Sequence, residues 1–368
     1  MKKKVGIVTI FDNNNYGNRL QNYAVYKVLS LLDVMSENIV IRFENNKQKL
    51  FLKRLLSYKM RKGLSIFIKG NKEAINNLRR ENFDQFSDVD RTNFIYSNSE
   101  NCLKRDNSFS RYSLCVVGSD QVWNPDFAGF GYYFLDFVEP SKRIAFAASI
   151  GYTELPDEVL QKYTEYWKQM RYISVREDSA ADIIEKATGK RPDVFLDPTL
   201  LLTKEEWDEV AVKPRCNIPD KYILCLFLGN MPETIKETYK KAYNMEMIIL
   251  NDKTFPEYYV QGPAEFVWLI KNAQLILTDS FHCSVFSIIY HKQFWAFERD
   301  DVELKNMFTR METLLNKFDM MGRVQKSDGP ISFNKIEEKE FINADTIRSR
   351  ERNRVLTIIG DIINEDEK

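Results

Sequence analysis

The chain has 368 residues, of which 44% are hydrophobic, 13% aromatic and 29% charged, a globular composition with room for more than one core. Lys plus Arg and Asp plus Glu stand equal at 53 each, so no overall field points to nucleic acid as a partner. Five scattered cysteines, none in C-x-x-C spacing, argue against a disulfide framework or a zinc site and for a reducing cytoplasm.

The N-terminus "MKKKVGIVTIFDNNNYG" begins like a signal peptide, but its apolar run is too short and ends in polar residues. No other stretch approaches the roughly 18 apolar residues of a membrane span. The run "KVGIVTI" (4–10) reads as a strand, and "NRLQNYAVYKVLSLL" (18–32) as a helix with a broad apolar face. Strand-like runs follow at 38–43, 113–119, 143–149, 172–177 and 192–198, rich in Val, Ile and Phe without strict alternation, as strands covered on both faces should be. The proline-bearing "VAVKPRCNIPDK" reads as a linker. Strands at 222–230, 245–252, 275–280 and 293–298 then alternate with helices. This pattern predicts an α/β protein of two doubly wound, Rossmann-like domains facing a cleft, residues 1–210 and 211–342. Residues 343–368 read as one further helix opening on Asp345 or Thr346 as its cap, with its packing side left open.

In parallel sheets ligands bind beyond the carboxyl ends of the strands, so the residues there are the candidate site. After the first strand comes "FDNNNYGN" with Gly17. After "LCVV" come Ser119, Asp120 and Gln121 of "GSDQVWNP". Arg176 and Glu177 follow "YISV", and Asp279, Ser280, Phe281 and His282 follow "LILT". Each has a plainer reading as a turn, a helix cap or a surface pair. Four strand ends carrying polar groups together favour the site.

The chain has two histidines. With Ser280 as helix cap, His282 lies in the first turn, where the positive end of the helix attracts anions and favours a neutral imidazole suited to acid–base work. The plainer alternative is a core histidine bonded to backbone. His291 sits at the other end, where a cation is welcome. Residues 47–80 carry eleven Lys or Arg against the single Glu73, with apolar residues interleaved. That segment suits either an anionic membrane surface or a solvated helical insertion.

Taken in order and spacing, "NNNYGNRLQNYAVYKVL", "VVGSDQVWNP", "ISVRE", "DPTLLL" and "TDSFHCSVFSIIYHKQF" resemble the motif set of the bacterial polysaccharide pyruvyl transferases, over about residues 5–300. The resemblance implies a glycosyltransferase-B-like fold, phosphoenolpyruvate as donor and a cell-surface saccharide as acceptor. It also implies that His282 and Arg176 are active-site residues. Ketal formation needs a proton shuttle, a role expected of His282, and a fork-shaped cation for the donor's carboxylate and phosphate, a role expected of Arg176. Donor binding is expected of Arg176, Ser280, His282 and Gly17, and acceptor binding of Ser119, Asp120 and Gln121. No obligatory metal or cofactor is expected. The acceptor is expected to be lipid-linked, with the enzyme cytoplasmic and peripheral on the inner face of the membrane through residues 47–80. Alternatives in the same fold are a nucleotide-sugar glycosyltransferase and a non-catalytic saccharide-binding protein.

Overall fold

The computed structural model describes residues 2–43, 72–89, 91–126, 131–298, 305–326 and 332–365, with residues 305–309 described by backbone alone. In the first half the strands are β1 (Lys4–Val8), β2 (Met35–Phe43), β3 (Asn93–Ser97), β4 (Leu114–Val117), β5 (Arg143–Ala148), β6 (Tyr172–Val175) and β7 (Asp193–Val194). They form a sheet in the order β3-β2-β1-β4-β5-β6-β7, every pairing parallel. The second half has β8 (Tyr222–Leu226), β9 (Glu246–Ile249), β10 (Leu275–Thr278), β11 (Gln293–Phe297) and β12 (Val324–Gln325). They lie in the order β12-β11-β10-β8-β9, again all parallel. Strand order reverses between β1 and β4 and again between β8 and β10, the two places where such sheets open a crevice for a ligand.

The longer helices are α1 (Tyr16–Ser30), α2 (Lys72–Gln85), α3 (Asp157–Trp167), α4 (Asp178–Thr188), α5 (Glu233–Tyr243), α6 (Pro263–Asn272), α7 (Phe281–Ile289), α8 (Lys305–Lys317) and α9 (Glu338–Asn364). Helix α1 starts where the Asn15 side chain accepts from the N–H of Asn18, filling a donor the helix leaves unpaired. Its Leu20, Tyr23, Ala24, Val25, Val28 and Leu29 are buried. They belong to an apolar cluster that also takes in Phe266 of α6 and Phe286 of α7, so the helices of the two halves share one core. Tyr16 stacks on Phe266 at 4.6 Å, and Trp207 bridges Tyr23 and Phe286.

Helix α9 packs along the first half, and its early turns also meet the second half at His291. Arg348 donates to the carbonyls of Leu200 and Leu202, Arg352 to that of Leu201, and Arg354 to that of Val194 and the carboxylate of Asp193. The Lys3 ammonium donates to Ile363 O. The helix begins seven residues before the expected cap at Asp345. A reciprocal pair, with Glu340 accepting from the Glu337 N–H, holds its true start, and Asp345 and Thr346 lie inside the helix. Two edge strands, β3 and β12, were not expected: the first is only half-buried along its length, and the second has two residues.

The greater part of the basic segment 47–80 lies outside the described residues. Its last nine residues lie in α2, where Arg79 turns inward rather than to solvent. Among the described residues, no helix is long and apolar enough to cross a membrane.

Candidate functional site

A cavity of about 440 Å³ opens between the carboxyl ends of the two sheets. The first half contributes Asp12, Asn14, Tyr16, Gly17 and Arg79, and the second contributes Leu226–Gly229, Asn251, Lys253, Tyr259, Ser280 and His282. Both walls are pinned by buried polar side chains. Asn18 Nδ2 donates to Ile10 O at 2.9 Å and to Asp120 Oδ2 at 2.8 Å, while its Oδ1 accepts from the Asp12 N–H at 2.8 Å. One amide therefore ties the loop after β1 to the loop after β4. Opposite, Asp279 accepts from the backbone N–H groups of Leu228 at 2.6 Å and Gly229 at 2.8 Å, which fixes the loop after β8 against β10. Arg79 is 2% exposed, and its guanidinium is spent on Asn14, the Tyr16 hydroxyl and the Tyr259 carbonyl. It joins the two halves at the rim of the cavity.

His282 lies in the first turn of α7, as its spacing from β10 predicts, and it is buried. Ser280 holds the cap position by backbone conformation, but its hydroxyl does not cap; it lines the cavity instead. The edge of the imidazole that bears Nδ1 lies against Gly17. A Cβ on that residue would stand 2.0 Å from Nδ1 and 2.4 Å from Cγ, so only glycine lets α1 approach the ring. Phe281 meets the ring edge-on at 5.1 Å.

The other edge, bearing Nε2, faces Asp197 Oδ2 at 3.5 Å and has no hydrogen-bond partner among the described residues. That same oxygen receives Arg176 Nη1 at 2.5 Å, and Asp197 Oδ1 accepts from both the N–H and the hydroxyl of Thr199, at 3.0 and 2.6 Å. Burial works against ionisation of Asp197, but the charge of Arg176, and after it His282 and Thr199, outweigh that penalty and hold the carboxyl well below the usual range. Arg176 and His282 are thus joined through a carboxylate that the sequence reading gave no role.

Arg176 does not line the main cavity. Among the described residues its Nε and Nη2 find no hydrogen-bond partner, and it borders a separate hollow of about 50 Å³ with Asp197, Phe281 and Arg310. Its neighbour Glu177 accepts from the N–H groups of Ile150 and Gly151. Ser119, Asp120 and Gln121 also stand back from the main cavity. Ser119 is fully buried and donates to Ala147 O, Asp120 holds Asn18 and the Gln121 N–H, and Gln121 is buried beside Gly151.

His291 differs from its expectation as a helix-end cation. It lies between the Lys204 ammonium, 3.0 Å from Nδ1, and Asp345 Oδ2, 2.8 Å from Nε2, with its ring on Phe341. An ammonium can only donate, so Nδ1 presents its lone pair and Nε2–H donates to Asp345. Burial, with Lys204 adding to it, lowers its proton affinity despite Asp345. Among the described residues no three His, Cys, Asp or Glu side chains gather as a metal site.

Residues 15–301 match the family model described as polysaccharide pyruvyl transferase. No curated protein sequence matches the chain. Among solved structures, the chain is similar to a protein from Listeria monocytogenes assigned as a UDP-N-acetylglucosamine 2-epimerase, with 12% identity, 99% of this chain and 97% of that one covered, and a TM-score of 0.53. A UDP-GlcNAc 2-epimerase from Methanocaldococcus jannaschii shares 14% identity over 97% and 99% of the two chains, with a TM-score of 0.46. At 12% identity the first of these likenesses describes the glycosyltransferase-B-like fold and nothing finer.

Proposed function

Because the chain belongs to the polysaccharide pyruvyl transferase family, we propose that it moves a pyruvyl group from phosphoenolpyruvate onto two hydroxyls of one sugar in a lipid-linked cell-surface polysaccharide repeat. The observation that carries this reading is the cavity between the two sheets with His282 in its wall, at the start of a helix. Free N–H groups at that helix start and the Lys253 ammonium give the cavity two sources of positive potential for a small, doubly anionic donor.

In this reaction C3 of the donor gains a proton and C2 becomes an oxocarbenium centre. One sugar hydroxyl adds to C2, the C2–O bond to phosphate breaks, and the second hydroxyl closes the ring. Two protons leave the hydroxyls; one balances the proton gained at C3 and the other departs with phosphate. His282 handles these protons, a contribution of about 10² to 10⁴ fold.

The test is thermal stability with phosphoenolpyruvate against a panel of nucleotide sugars. At 100 times its Kd the true donor stabilises the fold by about 2.7 kcal/mol. Phosphoenolpyruvate is expected to raise the melting temperature, and with an acceptor saccharide present phosphate release accompanies the mass gain of one pyruvyl ketal. A response only to a nucleotide sugar overturns the reading in favour of a glycosyltransferase. A response to saccharide alone, with no turnover, overturns it in favour of a binding protein.

A further inference from the structure

We propose that Asp197 is a positioning residue that holds His282 with its hydrogen on Nε2, so that Nδ1, the ring nitrogen against Gly17 at the cavity wall, is the atom that handles the proton. The role of Nδ1 rests on the reaction proposed above; the tautomer does not.

Asp197 Oδ1 is saturated by the N–H and hydroxyl of Thr199, and Oδ2 is shared between Arg176 Nη1 and the Nε2 edge of His282. The side chain is wholly buried, so water does not compete for these positions. An ionised carboxylate only accepts. A ring nitrogen facing it is stabilised as N–H and repelled as a lone pair, which leaves the lone pair on Nδ1. The 3.5 Å separation is long for a hydrogen bond, as catalytic contacts often are before ligand binds. Gly17 on one side and Phe281 at the ring edge leave the imidazole little freedom to turn over. Arg176 completes the chain from behind, since its charge keeps Asp197 an acceptor. Asp197 is not among the residues lining the cavity, so it acts on the chemistry through His282.

With two histidines in the chain, protein labelled with ¹⁵N-histidine shows two imidazoles, and His291→Gln assigns them. In the full-length wild-type protein the unprotonated His282 ring is expected to carry its hydrogen on Nε2. A hydrogen on Nδ1, or rapid averaging of both forms, overturns the proposal. In a second arm, Asp197→Asn is expected to lower kcat by about 10² to 10⁴ fold, the range for a misplaced acid–base group, while the melting shift induced by phosphoenolpyruvate persists. An unchanged kcat overturns the proposal. If Asp197→Asn does not fold, the wild-type spectrum decides alone. A wild-type protein that ignores phosphoenolpyruvate yet shows His282 with its hydrogen on Nε2 refutes the reaction and upholds the positioning role.

Discussion

Gly17→Ala puts a methyl group where the His282 ring now lies. The new Cβ would stand 2.0 Å from Nδ1, 2.4 Å from Cγ and 2.7 Å from Cε1, whereas ordinary contact begins at 3.4 Å. The ring must therefore recede by about 1.4 Å, the difference between those limits. Asp197 and Phe281 close off the retreat, so the imidazole has to leave its position rather than slide within it. The effect on stability is modest, because two effects oppose each other. Crowding costs about 1–3 kcal/mol, while alanine is favoured over glycine in a helix by up to about 1 kcal/mol. Activity has no such offset: a displacement of about 1 Å at a reacting group is enough for a loss of about 10² fold. Phosphate release from phosphoenolpyruvate, measured with circular dichroism and thermal melting on the same preparation, separates the two effects. A Gly17→Ala protein that retains activity within a few fold of wild type would show that the His282 ring is not where the chemistry happens.

His291→Gln is expected to keep most of the activity and to change the pH dependence of stability. Burial lowers the proton affinity of this ring in the folded state, so its contribution is full above about pH 6.5 and is lost as pH falls from there through the lower folded-state value. Wild type should lose stability on that acid limb and the variant should lose less; parallel melting curves refute the assignment. Arg176→Ala leaves Asp197 as an uncompensated buried charge and should cost about 3–5 kcal/mol. Adding Asp197→Asn should recover part of that loss, and strictly additive effects in the double-mutant cycle would show that the pair is not coupled. Charge reversal of Lys53, Arg54, Arg61 and Lys62 to Glu should abolish salt-sensitive binding to anionic vesicles. Co-sedimentation unchanged by the reversal removes the membrane reading.

The strands that form the middle of both sheets were legible because burial on two faces leaves a run of Val, Ile, Leu and Phe with polar residues only at its ends. β1, β4, β5, β8, β10 and β11 are all of this kind. β3 has no such run, since every one of its residues is half-exposed. His282 was legible by the same logic, as a polar residue one turn past a buried strand. Asp197 obeys the rule too, standing with Pro198 at the end of the strand-like run 192–198, but nothing local says that its carboxylate reaches two other strand ends. Lys253 carried no signal, and Arg79 carried only that of the basic segment 47–80, which points to a surface rather than to a buried site. Arg79 is brought to the cavity by Asn14, 65 positions away, and by Tyr259, 180 positions away, contacts that only the tertiary fold makes.

The grip of α9 on the first half sets an order of events during synthesis. The carbonyls of Leu200 and Leu202 receive Arg348 across 148 and 146 positions of chain, and Ile363 O receives Lys3 across 360. A ribosome adding about 5–20 residues per second needs roughly 7–30 s to travel from those carbonyls to the arginines that cover them. Throughout that interval the first sheet exists without its outer helix, and the apolar residues Val355, Ile359 and Ile363, which later pack there, have not been made. The newborn chain thus carries an uncovered apolar flank while its second half is still emerging.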